Sequence, residues 1–183
     1  MTNSSEPRPS GSGTTRAGAR SLTVAALKRR ITLARLLATW FGCGLSPVAP
    51  GTVGSLGAIA VAWPLINYAG WQSWWFIPLA IVILPPAIWS ATATAQASGR
   101  KDPGLIVIDE VVGQWITLGG CQHLNLRAWV LAFCLFRLFD IWKPWPVRRL
   151  EALPAGTGIV ADDCMAGVYG ALVLAAAGWF NFY

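Results

Sequence analysis

Charge is what this 183-residue sequence has least of: 12% of its residues are Asp, Glu, Lys or Arg, about half the share usual in a soluble domain. Residues 36 to 99 contain no Asp, Glu, Lys, Arg or His, and neither do residues 164 to 183. Uncharged runs of that length argue against a water-soluble two-domain enzyme. A bilayer span takes about 20 mainly apolar residues, so the first run has room for two spans and the second for one. Histidine occurs once, at His123, in a short connection remote from the acidic residues, which removes mechanisms built on a catalytic histidine. No Asp-x-Asp is present, so an aspartyl-phosphate mechanism of the haloacid dehalogenase kind has no nucleophile pair. The four cysteines form no Cys-x-x-Cys and sit among apolar neighbours, the pattern of free buried thiols. Cys121 and Arg127 have the spacing of cysteine-dependent phosphatases, but no glycine lies between them to form an N–H cradle. An apolar core followed by a small-residue cleavage site is missing near the start, so no secretory signal is expected.

The charge that is present is placed unevenly. Residues 1 to 35 hold seven bases against one acid, Glu6, and so carry the whole net charge of +6. A basic arm beside apolar segments fixes orientation and meets anionic head groups more often than it binds nucleic acid. The first part of that arm, rich in Ser, Thr, Gly, Pro and Arg, has no apolar periodicity and reads as a disordered tail over 1–27. Residues 28–183 then form one membrane-embedded catalytic domain. Five apolar segments stand out, at about 53–69, 74–94, 105–118, 126–142 and 164–182. In lipid each must satisfy its own backbone, which predicts an all-α, multi-pass transmembrane bundle of about four to five membrane-embedded helices. The 105–118 segment is short and is expected to lie within the bundle. Pro85 and Pro86 should kink the second segment. Alternating spans put the basic arm and the connections around 95–110 and 141–163 on one side, which the positive-inside rule makes cytoplasmic.

Every acid except Glu6 falls on that same side: Asp102, Asp109, Glu110, Asp140, Glu151, Asp162 and Asp163. Carboxylates at the edge of hydrocarbon are costly unless paired or bound to a cation. Helix capping explains one acid per helix start, but not two adjacent pairs, Asp109-Glu110 and Asp162-Asp163. A donor set of oxygens, without a His or Cys cluster, suits Mg²⁺ better than zinc, and Mg²⁺ commonly shares its shell with a substrate phosphate. The stretch 44–55, Gly-Leu-Ser-Pro-Val-Ala-Pro-Gly-Thr-Val-Gly-Ser, leads into the first apolar helix. Its Ser46, Thr52, Gly54 and Ser55 could meet phosphate at a helix N-terminus, or Thr52 or Ser55 could be a plain N-cap. Arg137 and Asp140, three apart, share a helical face; they either neutralise each other or leave the arginine for phosphate. Lys143 and Arg148 fall at head-group level, where Arg148 is a candidate substrate contact or a solvated anchor. Ala166 and Gly170 allow close helix contact, within the chain or between chains.

Four stretches in one order carry a resemblance. They are the 44–55 loop, Ile-Val-x-Asp-Glu-x-x-Gly-x-Trp-Ile-Thr-Leu at 106–118, Phe-Arg-x-x-Asp-x-Trp-Lys-Pro-Trp-Pro at 136–146, and Gly-x-Gly-Ile-x-x-Asp-Asp-x-x-Ala-Gly at 156–167. Together they resemble the phosphatidylglycerophosphatase A family over roughly residues 38–180. The resemblance implies a Mg²⁺-dependent phosphatase of the bacterial inner membrane that acts on phosphatidylglycerophosphate and yields phosphatidylglycerol, with membrane lipids as its surroundings. Family motif positions fall on Ser46, Thr52, Asp102, Asp109, Glu110, Arg137, Asp140, Lys143, Asp162 and Asp163. Asp109, Glu110, Asp162 and Asp163 are then the expected metal ligands. Asp102 or Asp140 would orient a nucleophile, while Lys143 and Arg137 would stabilise phosphate charge. Either water or a carboxylate can be that nucleophile. Ala155-Gly156 stands where paired glycines are expected. The alternatives are a lipid-phosphate hydrolase with another head group and a small transporter subunit. The latter lacks the inverted repeat or midplane charge pair that would mark it.

Overall fold

The computed structural model describes residues 28–183; the tail expected over 1–27 lies outside them. Among the described residues the chain is all-helical. A helical stretch over 28–38 (α1) precedes α2 (Pro50–Asn67), α3 (Phe76–Ser98), α4 (Ile108–Gly119), α5 (Leu126–Trp142), the short α6 (Val147–Leu150) and α7 (Ala155–Trp179). Pro50 sits in the first turn of α2, where a missing N–H costs nothing. Asn125 caps α5 by accepting a hydrogen bond from the Ala128 N–H at 2.9 Å. Helix α3 runs through Pro85 and Pro86 and ends at Gly99, whose φ of 67° closes it with a left-handed turn.

Helix α4 is the axle of the bundle. It packs on α2, α3, α5 and α7, most extensively on α7, and nine of its twelve residues are buried. At a rise of about 1.5 Å per residue it is some 18 Å long, too short for the hydrocarbon core. It therefore lies inside the bundle, as its brevity foretold.

Small residues let α4 and α7 touch. A Cβ on Gly167 would stand 2.5 Å from the Gly113 carbonyl oxygen, and one on Gly170 would stand 2.8 Å from Thr117 Oγ1. The Thr117 hydroxyl lies 3.1 Å from both the Gly113 and the Gly167 carbonyl oxygens, so it can donate across the helix pair. The small-residue pattern of α7 thus serves a contact within the chain. On the other side of α4, the Trp115 indole N–H donates to the Ala58 carbonyl of α2 at 3.0 Å.

The distribution of side chains is inverted relative to a soluble bundle. Helix α3 turns Ala80, Ala87, Ala91 and Ala95 inward and leaves Ile81 and Val82 64% and 71% exposed. Leu172 on α7 is likewise 62% exposed. Small residues inside and large apolar ones outside are what a lipid solvent selects. Two helical stretches, Ser73–Ser98 and Ala155–Trp179, are long and apolar enough to cross a membrane.

One boundary differs from the sequence reading. Helix α7 begins at Ala155, not near residue 164. Charge at Asp162 and Asp163 looked like a helix start, but both are buried within the helix, about two turns past its first residue. Capping cannot account for this pair.

Candidate metal and phosphate site

Three separate stretches of sequence converge on one cleft of about 300 Å³. The start of α2 contributes Ala49, Pro50 and Gly51, and the α3–α4 connection with the first turn of α4 contributes Lys101, Asp102, Asp109 and Glu110. The segment from the end of α5 to α7 contributes Arg137, Asp140, Lys143, Glu151, Asp162 and Asp163.

At the floor, Asp109, Glu110 and Asp163 each offer an oxygen within 4.8 Å of the other two. Asp109 and Asp163 are 8% and 4% exposed. Asp109 Oδ1, Glu110 Oε2 and Asp163 Oδ2 are buried with no hydrogen-bond partner. Three carboxylates brought together with unpaired oxygens form a poor resting arrangement and a good cation cage, because buried charge must find a counter-charge. The donors are all oxygens, which fits a hard divalent ion.

Asp162, the neighbour of Asp163, faces another partner. Lys143 Nζ donates to Asp162 Oδ2 at 2.7 Å and lies 3.4 Å from Glu151 Oε2. Lys143 caps the C-terminus of α5 with a φ of 47°, and the left-handed turn swings the chain toward α6. Burial alone would lower the pKa of its ammonium. The hydrogen bond and charge of Asp162, with Glu151 and Asp163 beyond, outweigh that and raise it. The amine is therefore held as a cation. Arg137, one helical turn before Asp140, donates from Nη1 to Asp140 Oδ2 at 2.6 Å and lies 4.0 Å from Glu110 Oε1. The shared helical face is thus used for mutual neutralisation, while Arg137 Nε stays buried and unpartnered.

Asp102 sits at the mouth and makes no ion pair among the described residues. Loss of water from the surrounding protein raises its carboxyl pKa; Lys143 opposes this and Glu151 and Asp140 add to it. Lys101 and Glu151 join the cleft without belonging to any motif; only their positions, beside Asp102 and eight residues after Lys143, hint at it.

The 44–55 loop contributes its backbone more than its side chains. Gly51 packs directly against Glu110 Oε1, and a Cβ there would also lie 3.1 Å from Arg137 Nη1. Ser46, Thr52, Gly54 and Ser55 do not line the cleft. The Ser46 hydroxyl donates to the Val48 carbonyl at 2.8 Å, and Ser55, fully buried, donates to the Gly51 carbonyl at 3.0 Å. A Cβ on Gly54 would meet Val107 at 2.7 Å. The N-cap of α2 is Ala49, not Thr52 or Ser55. Arg148 is exposed on α6, outside the cleft.

Backbone strain gathers here too. Of six non-glycine residues with positive φ among the described residues, Ala49, Lys143 and Ala155 all line the cleft. Such conformations persist where a site is held in place by its surroundings.

Residues 36–178 match the family model for phosphatidylglycerophosphatase A. The chain is 42% identical over 141 residues to phosphatidylglycerophosphatase A of Escherichia coli, covering 76% of this chain and 80% of that one. It is 38% identical over 143 residues to phosphatidylglycerophosphatase A of Haemophilus influenzae, covering 77% and 86%. A proposed phosphatidylinositol-3-phosphatase of Bacteroides thetaiotaomicron is 38% identical over 157 residues, covering 84% and 98%. No solved structure matches the chain.

Proposed function

The chain belongs to the phosphatidylglycerophosphatase A family, and from that membership we propose that it hydrolyses the terminal phosphomonoester of phosphatidylglycerophosphate. The products are phosphatidylglycerol and phosphate. The observation that carries this reading is the floor of the cleft, where three carboxylates from α4 and α7, each with a buried oxygen unpartnered among the described residues, meet beside Lys143 and Arg137.

A Mg²⁺ ion fits the oxygen donors of Asp109, Glu110 and Asp163, and when bound it supplies charge neutralisation to the incoming phosphate. Asp162 belongs to the same acidic pair but serves through Lys143, holding the ammonium over the cleft. Lys143 then stabilises charge on the equatorial oxygens as the ester P–O bond breaks, while Arg137, engaged by Asp140, holds the wall of the cleft beside Glu110. Of the two candidate bases, Asp140 is engaged by Arg137 at 2.6 Å, whereas Asp102 has no ion-pair partner among the described residues and a raised pKa. Asp102 is therefore the better group to orient water and take its proton. At about 300 Å³ the cleft is at the small end of ligand sites. It has room for a head group, while the acyl chains stay in lipid.

The basic side of the molecule and the exposed apolar helices support a bundle of four to five membrane-embedded helices in a bacterial inner membrane, with the cleft toward the cytoplasm. A second head group has a specific observation behind it. The Bacteroides relative is named for a phosphoinositide, which likewise carries a phosphomonoester beyond a phosphodiester.

The test is purified protein assayed on phosphatidylglycerophosphate, phosphatidylinositol 3-phosphate and phosphatidic acid, with Mg²⁺ and with chelator. Turnover is expected on the first lipid, dependent on metal, and Asp109→Asn and Asp163→Asn should each lose more than about 100-fold. Normal turnover and metal response in both variants would overturn the ligand assignment. Preference for the inositol lipid would overturn the head-group assignment alone.

A further inference from the structure

Among the polar residues of α4, Gln114 is the one without an explanation. It is fully buried, and neither its carboxamide oxygen nor its nitrogen has a hydrogen-bond partner. The other buried polar groups on the helix beyond the acids are satisfied: Thr117 donates to main-chain carbonyls and Trp115 to Ala58. A buried amide left bare is unfavourable, and an apolar residue of the same shape would remove the penalty.

Two further orphans lie in the same region of the bundle. Glu110, four residues before Gln114, has a buried, unpartnered Oε2, and Arg137, whose Nη1 is 4.0 Å from Glu110 Oε1, has a buried, unpartnered Nε. Residues i and i+4 of a helix are surface neighbours. Helical side chains lean toward the N-terminus, so Gln114 covers the turn that carries Glu110. The inventory of orphans is complementary. A carboxylate oxygen needs a donor, which an amide NH₂ supplies; a guanidinium N–H needs an acceptor, which an amide oxygen supplies.

We propose that Gln114 is a positioning residue that backs Glu110 and Arg137 from within the bundle, directly or through one ordered water, and so fixes the Glu110 carboxylate in the cation site. The assignment rests on the metal reading above. Hydrogen-bond partners behind a ligating carboxylate typically change metal affinity by about 10- to 100-fold.

The experiment compares the full chain with Gln114→Met, which keeps length and removes the amide. Metal binding is read without turnover, by calorimetric titration of the purified protein with Mg²⁺ or Mn²⁺, next to its thermal unfolding. The expected result is a metal Kd weakened by about 10- to 100-fold with the metal-free melting temperature close to the parent's. A merely structural glutamine would move the melting temperature and leave the Kd alone. Parent-like metal binding by Gln114→Met overturns this assignment alone, and absence of metal binding by the parent overturns the metal reading with it. If Gln114→Met loses its unfolding transition, Gln114→Leu is read by the same criteria.

Discussion

Ala49, Lys143 and Ala155 hold left-handed backbone around one cleft, and the carboxylates of Asp109, Glu110 and Asp163 gather within 4.8 Å of one another there. Tolerance at such a site is small. Gly51 meets Glu110 Oε1 so closely that Gly51→Ala should push the carboxylate aside and lower kcat/KM by about 100-fold, with the circular dichroism of the fold unchanged. Asp102 gives a prediction in pH. Its carboxyl must be ionised to accept a proton, and burial raises its pKa. Activity should therefore fall as pH drops, with an acid limb shifted upward from that of a solvated aspartate. Asp102→Asn should lower kcat by about 10²- to 10⁴-fold and flatten that acid limb, as a pH–rate profile would record. At this scale the sequence was most legible where chemistry is local. Asp109, Glu110, Arg137, Asp140, Lys143, Asp162 and Asp163 are conspicuous because charge is so rare around them, and all seven line the cleft. What it hid is depth. Gly54 and Ser55 belong to the same motif as Gly51, but they lie one turn further along α2, about 5 Å deeper, and are buried in the bundle instead of lining the cleft.

The pairing of α4 with α7 is the element on which the site depends, since Asp109 and Glu110 ride on one and Asp163 on the other. Main chain comes close to main chain at Gly113 and Gly167, with a Cβ on Gly167 reaching 2.5 Å from a carbonyl oxygen and 3.0 Å from the Gly113 Cα. Gly167→Val should force the helices apart and cost about 1–3 kcal/mol, seen as a lower thermal unfolding midpoint in detergent. Activity should fall further than stability, because the carboxylates separate with the helices. Five of the seven described helices were readable from apolar length and interruption by turns; α1 and the short α6, which carry charge, were not. The start of α7 was not, because a charged pair normally signals water. Here the pair is buried and lines the cleft, so the rule that finds helix ends in soluble sequences failed at the residues of the candidate site.

For the molecule as a whole, the exposed faces are apolar, and bases cluster at the end that holds the cleft. Lys101, Lys143, Arg148 and Arg149 lie there, while the opposite end carries only His123 in the 120–125 connection and Arg127 in the first turn of α5. Single cysteines introduced into a cysteine-free background at Arg100 and His123 should report the orientation. In intact bacteria with a permeable outer membrane, an impermeant thiol reagent should label the second and spare the first, and the reverse pattern would invert the topology. The hydrophobic outline was legible from composition; the gathering of three distant loops into one cleft was legible only as a shared side. The site also has a bearing on the cell. On the metal reading proposed above, a cation would join the three carboxylates at the seam of two helices, and the ion that serves turnover would also act as a rivet through the protein. Magnesium starvation would then curb the supply of anionic phospholipid twice over, by idling each copy and by shortening its life.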